Sequence, residues 1–177
     1  MANLKNAPMF AVHNDYYTPK YAWENINHLI PKTKIVWECC ILNSHRSDSK
    51  QHLTDLGNIV VGDTDWDYFE HYDKLEYDLI VTNIPFETNL KQRLLHTMLA
   101  NGKPFITILN SMNVFANWFN DVFKEHRADL QVIYPRGKLH FEKLKEDGTT
   151  EYCKGTSFYC VYVCYKMNIP NDLLYLD

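Results

Sequence analysis

Short runs of β-branched and aliphatic residues recur along this chain, separated by longer stretches that mix polar and apolar residues. The runs predict strands at 34–38, 58–61, 78–82, 104–109 and 130–134. Strands that alternate with helix-length stretches are typical of βαβ units, whose strands form a largely parallel sheet. The run at 104–109 is almost entirely apolar, as expected of a central strand buried on both faces. The pattern therefore predicts an α/β fold.

Helix signals fill the gaps between these strands. A first helix is predicted from Thr18, as its cap, and Pro19, in its first turn, to about residue 29, with Pro31 ending it. Further helices are predicted at 48–56, 88–99 and 114–125. Two later segments, 138–141 and 157–165, are predicted as an antiparallel pair of strands around a polar loop.

Composition limits the class of protein. With 177 residues and no linker or low-complexity stretch, the whole chain, 1–177, is expected to form one domain. Six glycines are too few and too scattered for a phosphate-binding loop, which needs three glycines, or two and a lysine, within about eight residues. No apolar run approaches the roughly 20 residues of a membrane span. We therefore expect neither a phosphate-loop nucleotide enzyme nor a membrane protein.

Charge and cysteine content narrow the partners and the compartment. The net charge of −4 provides no overall attraction to nucleic acid, so any such binding must use a local basic patch. The five cysteines form no CxxC pair, and neither they nor the eight histidines have zinc spacing, so no metal is expected. The first residues lack the apolar core of a signal peptide. These features predict reduced thiols in an intracellular compartment, such as the cytoplasm, the nucleus or a viral replication site.

Polar residues follow three of the predicted strands. Glu38 follows the first strand, aspartates at 63, 65 and 67 follow the second, and Asn83 follows the third. Ligands of open α/β sheets bind at the carboxyl ends of strands, and a carboxylate after the second strand commonly accepts hydrogen bonds from ribose hydroxyls. Aspartate is also frequent in turns, so Asp63 and Asp65 fit an ordinary turn equally well.

The segment Asn83-Ile84-Pro85-Phe86 is the sharper signal. The Asn83 side-chain oxygen and the Ile84 carbonyl can present two acceptors to one amine, and the Phe86 ring can stack on a base. Asn-X-Pro-Phe is also a common turn sequence, and Phe86 equally fits a core position.

These residues resemble a known family. Asn83-Ile84-Pro85-Phe86 resembles the (Asp/Asn)-Pro-Pro-(Tyr/Phe) motif of amino-methyltransferases that use S-adenosylmethionine. Further segments are similar, in order, to the Dam-like adenine methyltransferases of phages and large viruses: 15–19, 34–38, 56–57 with 67–69, 103–105, and 134–141 with 157–158. The resemblance covers about residues 13 to 166. It implies a Rossmann-like class I methyltransferase sheet, mostly parallel with a C-terminal antiparallel hairpin and with helices on both faces.

The resemblance also implies a role for each matching residue. The cofactor would be S-adenosylmethionine, with Tyr17, Thr18 and Pro19 near its methionine end and Glu38 near its amino group. Asp67 and Tyr68 would lie near its ribose or adenine. The implied catalytic residues are Asn83, Ile84, Pro85 and Phe86, of which Asn83 and the Ile84 carbonyl would hold the target amine while Phe86 stacks on a flipped adenine.

Two departures from the family pattern matter. Ile84 replaces the usual first proline, which retains the carbonyl but loses ring rigidity. The loop after Glu38, through Arg46, has no glycine where the family has one for close approach of the backbone to the cofactor. A methyltransferase-like protein that binds or supports a partner without catalysis is therefore one competing hypothesis. Another is an unrelated doubly wound nucleotide-binding protein, against which the segment 15–19 argues.

A short segment, 136–155, is the only candidate for target recognition. The predicted nucleic-acid contacts are Arg136, Lys138, Lys143 and Lys145, although a solvated hairpin with mixed charges explains these lysines as well. DNA is the preferred acceptor, with RNA adenine or a protein glutamine amide as alternatives. A homodimer or a partner subunit would compensate for the short recognition segment.

Overall fold

Ten strands and five α-helices make up the described parts of this computed structural model, which are residues 16–41, 48–63, 66–144, 149–153, 159–171 and 173–176. The strands are β1 (Tyr16–Tyr17), β2 (Ile35–Trp37), β3 (Ile59–Val61), β4 (Leu79–Asn83), β5 (Phe105–Asn110), β6 (Leu130–Tyr134), β7 (Glu142–Leu144), β8 (Thr150–Tyr152), β9 (Cys160–Tyr165) and β10 (Leu173–Tyr175). The helices are α1 (Lys20–Glu24), α2 (Asp48–Asp55), α3 (Tyr68–His71), α4 (Thr88–Asn101) and α5 (Asn117–Phe123).

Seven of the strands form one sheet in the order β10-β6-β9-β5-β4-β2-β3. Every neighbouring pair is parallel except those of β9, which runs antiparallel between β5 and β6. From β2 the chain first adds β3 on one side and then β4 on the other, so the sheet has a topological switch point between β2 and β4. This is a Rossmann-like α/β sheet, and the predicted fold class is confirmed.

Helices cover both faces of the sheet. Neighbouring residues of a strand point to opposite faces, and Val36 and Trp37 of β2 accordingly belong to two separate core clusters. Val36 packs in the cluster that contains Trp23 of α1 and Leu53 of α2. Trp37 lies in the cluster of α4 and α5, with Leu94 fully buried there. The edge of the sheet is therefore left as the place for a ligand.

The first predicted helix is shorter than expected. Helix α1 begins after Pro19, which occupies the cap position without a side-chain cap, and only a 3₁₀ turn at Asn27–Leu29 continues it. Thr18 was expected to cap this helix, but its hydroxyl accepts a hydrogen bond from Asn83 instead. The prediction of a Thr18 cap is wrong because a distant partner takes the hydroxyl.

The helix predicted at 114–125 is broken into three pieces. The side chain of Asn110 accepts from the Met112 amide and starts a 3₁₀ turn at Ser111–Phe115. Ala116 is extended, at φ −79° and ψ 144°, so α5 begins only at Asn117. A further 3₁₀ segment, Lys124–Asp129, leads into β6.

The C-terminal strand pairing also differs from the prediction. Residues 138–141 form no strand, and the hairpin consists of β7 and β8, which join β1 in a separate three-stranded sheet. Strand β9 enters the main sheet because all six of its residues are buried, which suits a strand covered on both faces. Ser157 and Phe158, predicted to begin this strand, lie outside the described residues.

Candidate functional site

The carboxyl ends of β2 and β4 bring together the residues on which the site depends. The two strands are parallel neighbours, with Trp37 opposite Ile80. Glu38 follows β2 directly, and Asn83 is the last residue of β4. Because this edge is the switch point of the sheet, it is the expected place for a ligand.

Glu38 is a buried carboxyl at this edge, 2 % exposed. It accepts hydrogen bonds from the Thr82 hydroxyl and, at 3.0 Å, from the Cys40 amide. Burial raises the pKa of Glu38 to about 7, although both hydrogen bonds act in the opposite direction. No Lys, Arg or His side chain among the described residues forms an ion pair with it. The site therefore contains a carboxyl that a cationic ligand would stabilise in its charged form.

A glycine allows the chain to pass close behind Glu38. The Glu38 amide donates to the Val61 carbonyl at 3.0 Å, which draws the end of β3 against the end of β2. A Cβ on Gly62 would lie 2.3 Å from the Glu38 carbonyl oxygen, and the φ of Gly62 is +146°. Only glycine fits this approach and this conformation.

Asn83 presents a buried acceptor. Its side-chain Nδ2 donates to the Thr18 Oγ1 at 3.1 Å, a contact between residues 65 positions apart. Its Oδ1 is buried and has no hydrogen-bond partner among the described residues. A buried carbonyl oxygen without a partner is costly, so this atom suits a donor brought by a ligand. Thr18 thus positions the Asn83 amide.

The rest of the motif is held firmly between β4 and α4. Ile84 and Pro85 are buried, and Glu87 caps α4 by accepting from two of its amides, at 2.9 and 2.5 Å. The Phe86 carbonyl accepts from the Lys91 ammonium at 3.3 Å. Lys91 is itself buried, and burial lowers its pKa. The backbone that follows Asn83 is therefore fixed at both ends.

The Phe86 ring is half-buried in an aromatic group. It makes edge-to-face contacts with Tyr16, at 6.1 Å between ring centroids, and with Phe141, at 6.0 Å. These contacts fix the ring and bring the small sheet of β1, β7 and β8 against the motif. Stacking of Phe86 on a base stays a prediction.

Asp67 and Tyr68 have structural partners of their own. The Asp67 carboxylate caps α3 by accepting from the Phe69 amide at 2.8 Å. Tyr68 is fully buried and stacks on Trp37 at 5.2 Å, so it lies beside the end of β2, and burial raises its pKa well above the ordinary value. Its hydroxyl has no partner among the described residues. Contact of either residue with a cofactor stays a prediction.

The remaining predicted positions are spread around this edge. Tyr17 and Pro19 are buried beside Thr18, and Asp63 is exposed after β3. Asp65 and most of the glycine-free loop, 42–47, lie outside the described residues. No role was predicted from the sequence for four residues that contact the site: Thr82, Lys91, Tyr16 and Phe141. A polar residue at the end of an apolar strand was the available signal for Thr82, whereas Lys91 and the two rings show their roles only through tertiary contacts.

The predicted nucleic-acid contacts all belong to the C-terminal part of the chain. Arg136 is exposed, and the Lys138 ammonium lies 5.8 Å from the centre of the Tyr159 ring. The Lys143 ammonium lies 5.0 Å from the centre of the Tyr16 ring. Lys145 lies outside the described residues.

The structure also bears on disulfides, metal ions and membrane spans. None of the five cysteines, all of them described, is in a disulfide. Within the described ranges, no group of three His, Cys, Asp or Glu side chains is arranged to hold a metal ion. No helix in those ranges has both the length and the apolar character needed to cross a membrane.

No protein family model matches the chain, and no curated protein matches it either. Among solved structures, it is similar to a SAM-dependent O-methyltransferase from Thermotoga maritima at 12 % identity, over 93 % of this chain and 71 % of that one, with a TM-score of 0.40. It is also similar to a TehB-like SAM-dependent methyltransferase from Corynebacterium glutamicum at 16 % identity, over 89 % of this chain and 91 % of that one, with a TM-score of 0.37. Likeness at this level assigns no activity, so the function has to be inferred from the geometry of the site.

Proposed function

We propose that this protein is an S-adenosylmethionine-dependent methyltransferase that methylates the exocyclic amine of adenine in DNA. The observation that carries the proposal is the Oδ1 of Asn83 at the carboxyl end of β4, which is buried and has no hydrogen-bond partner in the part of the chain that the structure describes. An acceptor in that position can accept a hydrogen bond from a planar amine and orient the amine. The resemblance of residues 83–86 to the motif of amino-methyltransferases supports the same reading.

The chain's residues suit the cofactor at one point in particular. The amino group of S-adenosylmethionine is a cation, and Glu38 is a buried carboxyl whose pKa of about 7 reflects the cost of its charge. An ammonium beside Glu38 would compensate that cost, since an opposite charge within a few ångströms favours the ionised form. Glu38 would therefore hold the amino group, while Thr82 and the Cys40 amide orient the carboxylate.

The chemistry needs little beyond positioning. When bound, S-adenosylmethionine supplies a methyl group on a sulfonium, and the electron pair of the broken bond stays on sulfur as the new bond to nitrogen forms. Asn83 Oδ1 would accept a hydrogen bond from the amine and stabilise the positive charge that develops on its nitrogen. The Ile84 carbonyl is the second acceptor, and the extra proton leaves the nitrogen for water. Lys91 and the Glu87 cap hold this backbone in place.

Two features of the motif's surroundings support a nucleic-acid base as the target. The Phe86 ring, braced by Tyr16 and Phe141, offers an aromatic surface three residues after Asn83. Base–aromatic stacking is a general means of holding a base that has left its helix. Lys143 beside Tyr16 provides a positive charge for a phosphate at the same side.

The decisive variant is Asn83→Ala. We expect it to abolish methylation of adenine-containing DNA, while the dissociation constant for S-adenosylmethionine stays within a few-fold of the parent value. Asn101→Ala is the matched control, because it removes the same kind of side chain at the last residue of α4, where Asn101 donates to the Tyr72 carbonyl and also hydrogen-bonds the Tyr77 side chain. Methylation that survives in Asn83→Ala would show that Asn83 does not hold the target amine.

Calorimetric titration separates catalysis from a silent fold. The proposal requires S-adenosylmethionine to bind with measurable heat at or below millimolar concentration. If no heat is measured, the enzyme proposal fails, and a methyltransferase-like protein that supports a partner without binding the cofactor becomes the explanation.

A further inference from the structure

Exposed apolar side chains are concentrated at one place. Five large hydrophobic residues are strongly exposed within the described ranges, and three of them, Met112, Phe115 and Tyr159, are 70 %, 73 % and 61 % exposed. The Ser111 amide donates to the Tyr159 carbonyl at 2.8 Å, so the turn that carries Met112 and Phe115 lies against the start of β9. These three residues are called the apolar rim below.

The apolar rim lies at the same edge of the sheet as the proposed site. Strand β5 pairs with β4, and Asn83 stands opposite Ile108. The last residue of β5, Asn110, is two positions further along, and the rim follows it directly. A polymer whose target base reached Asn83 would therefore pass beside the rim.

A lysine lies beside the apolar rim. The Lys138 ammonium lies 5.8 Å from the centre of the Tyr159 ring, and Arg136 is exposed two residues earlier. The segments 110–116, 134–141 and 159–165 contain no Asp or Glu. Aromatic rings beside cations, without carboxylates, are the combination that binds single-stranded nucleic acid.

The low positive charge of the chain favours single-stranded nucleic acid over a duplex as the ligand. Duplex binding draws much of its affinity from phosphate contacts, and a chain with a net charge of −4 offers few of them. The faces of duplex bases are covered by their neighbours, whereas an unpaired base can stack on an exposed ring.

We propose that the apolar rim is a stacking surface for unpaired bases that flank the target, and that the preferred substrate is single-stranded DNA. Lys138 and Arg136 would contact the adjacent phosphates. This inference rests on the proposed function, because it places the rim beside the site at which the target base reacts.

Binding is tested without catalysis, using the full chain and a fluorescently labelled oligothymidylate of about 15 nucleotides, long enough for a typical single-strand site. Fluorescence anisotropy should give a dissociation constant that rises at least about fivefold in Phe115→Ala and in Tyr159→Ala, the lower end of a lost stacking contact. Tyr159→Phe keeps the ring and should bind like the parent. Ile59→Ala is the matched control, an exposed apolar residue on the edge strand β3, and should also bind like the parent.

Three results would overturn the inference: equal or tighter binding of a duplex of the same length, unchanged binding in both alanine variants, or an association of two copies in sedimentation that these variants abolish. Failure of the proposed function would appear as missing methylation with rim-dependent binding intact. Failure of this inference alone would appear as one of these three results while the parent still methylates an adenine-containing strand.

Discussion

Replacing Glu38 by glutamine should stabilise the protein without ligand and remove its affinity for the cofactor. Glutamine keeps the size of the side chain and an oxygen that can accept from Thr82 and from the Cys40 amide. It differs in having no charge, so it resembles the protonated form of Glu38. The comparison therefore isolates the cost of holding a carboxylate in this buried position.

The magnitude follows from the pKa of Glu38, which burial raises from 4.5 to about 7. Between these values the folded protein holds a proton that the unfolded chain has lost, so the free energy of unfolding falls as the pH rises through this window. At about 1.4 kcal/mol per pH unit, the loss reaches about 3 kcal/mol above pH 7. Since Glu38→Gln escapes this loss, it should match the parent near pH 4 and exceed it by about 3 kcal/mol near pH 8.

The assay is urea unfolding followed by tryptophan fluorescence from pH 4 to pH 8. Glu76→Gln, which removes an exposed carboxyl, is the matched control and should follow the parent at every pH. In the same series, the parent's affinity for S-adenosylmethionine should rise as the pH increases towards 7 and level off above it, whereas Glu38→Gln should bind weakly throughout. A difference between Glu38→Gln and the parent that does not grow with pH would refute the reasoning.

Two further substitutions test the backbone and the cofactor side of the site. Gly62→Ala should cost at least about 3 kcal/mol in urea unfolding, because its Cβ would lie 2.3 Å from the carbonyl oxygen of Glu38 at a φ of +146°. Gly57→Ala, where nothing lies within 4 Å of the added Cβ, should cost only about 1 kcal/mol, and equal losses would contradict the close approach. Asp67→Asn retains an oxygen to cap α3 but removes the charge, so it should weaken S-adenosylmethionine binding by about 1–2 kcal/mol in calorimetry. Unchanged binding would show that the Asp67 carboxylate does not contact the cofactor.

The parallel strands of the main sheet could be predicted from the sequence because each is encoded locally. A run such as 104–109 is apolar on both faces, and β5 occupies Phe105–Asn110. The positions after the strands then follow from topology, since carboxyl ends of parallel strands share one edge. For this reason Glu38 and Asn83 could be selected before their surroundings were known.

What the sequence could not provide depends on contacts between distant residues. Thr18 has the local pattern of a helix cap, but its hydroxyl is taken by Asn83, 65 positions away. Strand β9 pairs with β5 and β6 instead of the segment at 138–141, because its own two apolar faces need cover on both sides. Pairing of this kind is decided by competition for the core, which no local signal records.

Glycine illustrates the same distinction at the centre of the site. The family resemblance leads one to expect a glycine soon after Glu38, where the backbone would approach the cofactor, and the chain has none there. The close approach at this edge is supplied by Gly62, which follows β3 and meets the Glu38 carbonyl from the side. When two parallel strands must approach closely at their ends, the glycine that permits the contact can follow either strand. The lack of glycine in the loop after Glu38 therefore does not by itself exclude a close approach at this edge. The consequence is specific: crowding at position 62 should displace Glu38 and weaken S-adenosylmethionine binding together with stability, whereas the same change at Gly57 should affect stability alone.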